Sequence, residues 1–116
     1  MRYTWEEVME DLSILTPQLR RVERLKNVYG LPRGGLVLAV LLSHHLEIPL
    51  ILREEEIEKE TLIVDDISDT GAQLLKLLAE RDCLTATLFM HPQTSVVPNF
   101  FVRVKGEDWI SFPWEV

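Results

Sequence analysis

The sequence predicts an α/β fold, with a mostly parallel central sheet flanked by helices, as a single domain over residues 1–116. Three observations predict it. From residue 27 onward, short apolar runs alternate with longer segments of helical spacing. One of these runs, Thr61-Leu62-Ile63-Val64, shows no polar alternation and stops at two aspartates, the pattern of a central parallel strand. A chain of 116 residues has room for one core and not two.

The elements follow in order. Thr4-Trp5-Glu6-Glu7 is a capping box and opens a helix to about Leu15. Pro17 suits the first turn of a second helix, with Leu19, Val22 and Leu25 at helical spacing. Residues 27–30 form a buried strand entering a Gly/Pro loop that Gly34-Gly35 ends. Residues 36–46 are apolar on most sides, as a helix packed on a sheet must be. Residues 49–53 read as a strand, the acidic stretch 54–60 as a solvated turn, and 61–64 as the central strand. Residues 71–81 read as a helix with Leu74, Leu75 and Leu78 on one face, and 84–90 and 100–104 as further strands.

Charge and composition exclude several classes. A net charge of -7 argues against general nucleic-acid binding, which needs clustered Lys and Arg. A small phosphorylated ligand stays compatible, because backbone N–H groups, one or two basic side chains and a divalent metal can hold it. Cys83 is the single cysteine, so no disulfide framework forms, and no Cys/His cluster has zinc spacing. His44 and His45 are adjacent on a helix and point in different directions. The longest apolar run, residues 36–42, falls far short of the roughly 20 residues of a membrane-spanning helix. A cytoplasmic protein with no membrane partner is the expectation. Trp5 and Trp114 read as packing residues, and Cys83 as structural.

Residues 64–73 carry the chemistry: Val64-Asp65-Asp66-Ile67-Ser68-Asp69-Thr70-Gly71-Ala72-Gln73. In parallel sheets ligands bind beyond the carboxyl ends of the strands, where this segment and the 31–35 loop both fall. Three carboxylates crowd within five residues, and their repulsion calls for a cation or for sugar hydroxyls. The chain then passes into a helix whose first amides suit an anion. Carboxylates for hydroxyls followed by amides for phosphate outline a ribose 5-phosphate site. A plain helix cap explains Asp69-Thr70-Gly71 as well. It has no need of Asp65-Asp66.

This segment resembles the phosphoribosyl-pyrophosphate (PRPP) signature of type I phosphoribosyltransferases. Leu31-Pro32-Arg33-Gly34-Gly35 is similar to their pyrophosphate loop, and Glu107-Asp108-Trp109-Ile110 with Pro113-Trp114-Glu115 to the base-binding end of bacterial xanthine-guanine phosphoribosyltransferases. The resemblance implies the following roles. Asp65 and Asp66 contact the ribose hydroxyls, directly or through Mg²⁺. Asp69 stands near purine N7 as general base. Thr70, Gly71, Ala72 and Gln73 hold the 5-phosphate. Arg33, Gly34 and Gly35 hold pyrophosphate, and Trp109 and Ile110 hold a purine base. A homodimer or higher homo-oligomer is also implied.

The sequence departs from the pattern in three places. Only residues 53–60 stand where the family has a long closing loop. Gln73 replaces a Thr in the phosphate segment. His91 replaces the Lys that donates to the oxygen at purine position 6, so His91 is the expected base-binding donor. A purine phosphoribosyltransferase is therefore the leading expectation. A PRPP- or nucleotide-binding module with weak chemistry is the alternative. A phosphoacceptor receiver domain also uses strand-end aspartates, but its acidic pair follows the first strand and a Lys follows the last. This chain carries its acidic pair after a later strand.

Overall fold

The computed structural model describes residues 1–115. Five parallel strands form one sheet in the order β2-β1-β3-β4-β5. They are β1 (Asn27–Gly30), β2 (Leu50–Ile51), β3 (Thr61–Ser68), β4 (Thr85–Met90) and β5 (Arg103–Val104), and the helices are α1 (Trp5–Arg20), α2 (Gly34–Leu46) and α3 (Ala72–Leu78). Helix α2 packs on β1 and β3, and α1 packs against α2. The strand order reverses between β1 and β3, where an open parallel sheet leaves a crevice beyond the strand ends. Among the described residues no helix is long and apolar enough to cross a membrane.

Strand side chains alternate between two cores. Val28, Leu62, Val64, Ala86 and Leu88 meet Leu12, Leu15, Leu38 and Leu42 on the side of α1 and α2. Tyr29, Ile51 and Ile63 meet Leu74 and Leu77 of α3 on the other. The central strand is buried on both faces, which is why its run shows no polar alternation.

Four expectations change. Helix α1 is continuous through Pro17, and no second helix starts there. Pro17 and Ser13, whose carbonyl loses its helical donor, both lie on the exposed face, so that carbonyl is open to solvent. Burial of Leu12, Leu15 and Leu19 on the opposite face holds the helix together. Second, β3 does not stop at the aspartates. Asp65, Ile67 and Ser68 stay paired with Thr87, Phe89 and Met90, because β4 is long enough to satisfy their backbone groups. Third, α3 is shorter than expected and buries Leu74 and Leu77, while Leu75 is exposed. Fourth, α2 begins at Gly34 and β2 keeps only two residues. The capping box on α1 forms as read, with Thr4 and Glu7 bonded reciprocally.

Candidate active site

The crevice at the ends of β1 and β3 is a cavity of about 440 Å³. Arg33, Gly34, Asp65, Asp66, Asp69 and the turn from Thr70 to Gln73 line it. Gly35 lies beneath, buried against the Val64 carbonyl and Asp65. Of the nine residues expected to hold the ribose, 5-phosphate and pyrophosphate, together with Asp69, all but Gly35 thus line one cavity.

Local chemistry explains the arrangement. Asp65 Oδ1 accepts from the Asp66 N–H at 2.9 Å. Both carboxyls are held above the ordinary carboxylate range, chiefly by burial; for Asp65 the charge of Asp66 adds to it and lifts its pKa to about 8. For Asp66, hydrogen bonds from its surroundings oppose the rise. Any Cβ on Gly34 would strike the Asp66 carboxylate, so a glycine here lets the loop after β1 close over it. Gly71 sits at φ 81° as the N-cap of α3, a left-handed conformation that favours glycine. Its Cα faces Thr94 and the amides of Ser95 and Val96. Those residues belong to the loop after β4, which Ser68 Oγ holds through Thr94 Oγ1 (2.7 Å) and the Val96 carbonyl (2.8 Å). The Ser95 N–H donates to the Thr70 carbonyl at 2.8 Å. The turn is therefore clamped from outside. Arg33 makes no side-chain hydrogen bond among the described residues and is exposed to the cavity.

A second cavity of about 160 Å³ adjoins the first and shares Asp66, Ile67 and Asp69 with it. Its other walls include Trp109, Ile110, Phe112 and Lys105. Ile110 is buried and Trp109 is 74% exposed, presenting its ring to the opening. The chain start braces this segment: the terminal amine donates to the Trp109 carbonyl at 2.7 Å, and Ser111 exchanges backbone bonds with Met1 and Tyr3.

His91 does not line this cavity. It follows β4 in the loop, its N–H bonded to the Ser68 carbonyl and its Nδ1 accepting from the Gln93 N–H at 3.0 Å. The lysine in the cavity is Lys105, just past β5, with Nζ 3.2 Å from Asp69 Oδ2 and 5.7 Å from the Trp109 ring centroid. Sequence comparison along the chain misses Lys105 because it lies fourteen positions from the expected one. Only the pairing of Val104 with Met90 brings β5 beside the end of β4. His44 and His45 are exposed on α2. Trp114 stacks on Phe112 at 5.2 Å and meets Trp5 edge-on, although Trp5 itself stays half exposed.

No family model matches the chain. Xanthine-guanine phosphoribosyltransferase from Nitratidesulfovibrio vulgaris strain Hildenborough is 27% identical, over 97% of this chain and 82% of that protein. The crystal structure of a purine phosphoribosyltransferase from Pyrococcus horikoshii superposes with a TM-score of 0.82 at 36% identity, covering 100% of this chain and 94% of that one. A xanthine-guanine-hypoxanthine phosphoribosyltransferase from Helicobacter pylori shares the fold, with a TM-score of 0.86 at 24% identity over 99% and 91% of the two chains. Together with a strand-end acidic cluster that opens on a glycine-bearing turn, these likenesses establish that the chain belongs to the type I phosphoribosyltransferases.

Proposed function

We propose that this protein transfers the 5-phosphoribosyl group of PRPP to a purine base, guanine, xanthine or hypoxanthine, and releases pyrophosphate. The observation that carries the reading is the pair of adjoining cavities bridged by Asp69, one walled by carboxylates and a phosphate-sized turn, the other by an aromatic face. In this reading the Thr70–Gln73 turn holds the 5-phosphate, and Arg33 with the Gly34 and Gly35 amides holds pyrophosphate. Trp109 stacks on the base over Ile110. The bond from the anomeric carbon to pyrophosphate oxygen breaks, and a bond to purine nitrogen forms. Asp69 takes the proton lost by the base, and Arg33 faces the charge growing on the leaving group.

The residues fit Mg²⁺. Asp65 and Asp66 are hard oxygen donors whose burial and mutual repulsion leave them wanting a cation. When bound, the ion would neutralise charge on the pyrophosphate.

A base-incorporation assay with PRPP, Mg²⁺ and each base tests the reading. Nucleotide should form, and Asp69→Asn should lower turnover by about a hundredfold while PRPP affinity, read by calorimetry, changes little. Equal loss of both would remove Asp69 from the proton transfer.

A second reading, a nucleotide- or PRPP-binding module with weak chemistry, is favoured by one observation. None of residues 53–60 lines the crevice, and the segment is tied back toward α3 and β4, where Arg81 pairs with Glu54 and Cys83 Sγ donates to the Glu58 carbonyl. Calorimetric PRPP binding without any nucleotide formed would select it.

A further inference from the structure

We propose that Trp114 is a positioning residue for Asp66. Its indole N–H closes on one carboxylate oxygen when a sugar phosphate and its metal ion fill the crevice, and holds the other oxygen toward them. The inference rests on the transferase reading for what fills the crevice, and adds a residue that the reading does not use.

The indole N–H is out of place as a packing group. Trp114 Nε1 is buried and has no hydrogen-bond partner among the described residues. Buried indole N–H groups ordinarily find an acceptor, and an unpaired one is costly. Packing does not account for that cost. The ring stacks on Phe112 at 5.2 Å and meets Trp5 edge-on at 5.7 Å, contacts that a phenyl ring makes without burying a donor. The ring is also held in direction. The Phe112 N–H donates to Glu115 Oε1 at 2.7 Å, and the Glu115 N–H donates to the Phe112 carbonyl at 3.1 Å, which ties the turn on both sides of Trp114.

The acceptor that it faces is Asp66. This side chain lines the crevice and also a side cavity of about 430 Å³, whose walls include Trp114, Glu115 and Arg33. The indole N–H already favours the charged form of Asp66, although it has not closed on it as a full hydrogen bond. Asp66 is the partner able to move. Gly34 lacks the Cβ that would strike its carboxylate, which leaves the side chain room to turn.

A carboxylate has two oxygens and serves both cavities at once. A cation or a ribose hydroxyl in the crevice draws on one oxygen and fixes the carboxylate plane. The second oxygen then meets the N–H in the side cavity, away from the charge of Glu115 that repels it. Such a charge-assisted bond is roughly twice as strong as a neutral one. Because it forms only with the crevice filled, its strength goes into affinity and not into the stability of the free protein.

Replacing Trp114 by benzothienylalanine, which keeps the bicyclic ring and carries sulfur in place of the N–H, separates this role from packing. The free protein should melt at or above the wild-type temperature, because no interior donor is left unpaired. By calorimetry it should bind PRPP with Mg²⁺ about tenfold more weakly, and Trp114→Phe should show the same loss. In proton–nitrogen correlation spectra the replacement also removes one indole signal and so identifies Trp114. In the wild-type protein that signal should move downfield when PRPP and Mg²⁺ are added; in Asp66→Ala it should stay in place. Unchanged PRPP affinity, a melting temperature that falls along with the affinity, or an indole signal that PRPP does not move overturns the assignment. Should the replaced protein not fold, Trp5→Phe and Trp109→Phe identify the other two indole signals, and the wild-type spectrum decides alone. If PRPP moves the signal but no base yields nucleotide, the transferase reading fails and the positioning role stands. If nucleotide forms while the signal stays put, the reverse holds. Absence of PRPP binding overturns both.

Discussion

Asp65 shows how one side chain carries an opposing demand on stability and binding. Its carboxyl is raised from an ordinary 3.8 to about 8, by burial first and then by the charge of Asp66. A group whose folded pKa exceeds its unfolded one contributes stability that is full below the unfolded value. That contribution is lost as pH rises from about 4 to about 8. The Asp65→Asn variant, neutral at every pH, should therefore melt above wild type at pH 8.5, by about 4 °C or more, and converge with it near pH 4. Melting curves in which the gap widens toward acid would contradict the assigned cause. The aspartates were legible in the sequence because three acids at a strand end are costly without a ligand. The raised carboxyl was not, since it depends on what buries it.

At the level of elements, the Thr70–Gln73 turn, proposed to hold the 5-phosphate, is shaped by a loop distant in sequence. Thr94 Oγ1 meets Ser68 Oγ at 2.7 Å and the Val96 carbonyl at 3.1 Å, and this loop lies against Gly71. Thr94→Val removes these bonds while keeping the side-chain shape. We expect KM for PRPP to rise roughly fivefold with kcat nearly unchanged, as steady-state kinetics would read; a fall in kcat alone would place Thr94 elsewhere in the mechanism. The helix and strand order was readable from apolar periodicity. Pro17 was misleading because a proline on a solvent-facing turn is tolerated once the other face is buried. The end of β3 was misread for a related reason: polar side chains do not end a strand whose backbone still has a partner in β4.

Across the whole molecule, a buried ionic network ties α1 to the far edge of the sheet. Asp11, 2% exposed, accepts from the Tyr3 hydroxyl and from Arg103 Nε at 2.8 Å, and Arg103 also reaches Glu7 at 3.3 Å. Arg103 stands in β5, two residues before Lys105, so the network anchors the strand that supplies the cavity's cation. Asp11→Ala leaves Arg103 without its buried partner and should lower stability by about 3 kcal/mol in urea denaturation. The triple variant Tyr3→Phe, Asp11→Leu and Arg103→Met, which leaves no buried donor stranded, should recover most of that loss. A larger loss in the triple variant would mean that packing, and not the ionic network, sets the cost of Asp11→Ala.

Residue types and their spacing determined the α/β architecture, the acidic turn and the family, because these depend on backbone periodicity and on side chains close together in the chain. Tertiary structure alone decided which cation stands beside Asp69 and Trp109. Parallel pairing of β5 with β4 carries Lys105 to Asp69 and Trp109, while the loop after β4 turns His91 away. Linear order places a lysine relative to its neighbours in the chain. The ion pair it forms depends on distance in space, which only the packed sheet sets.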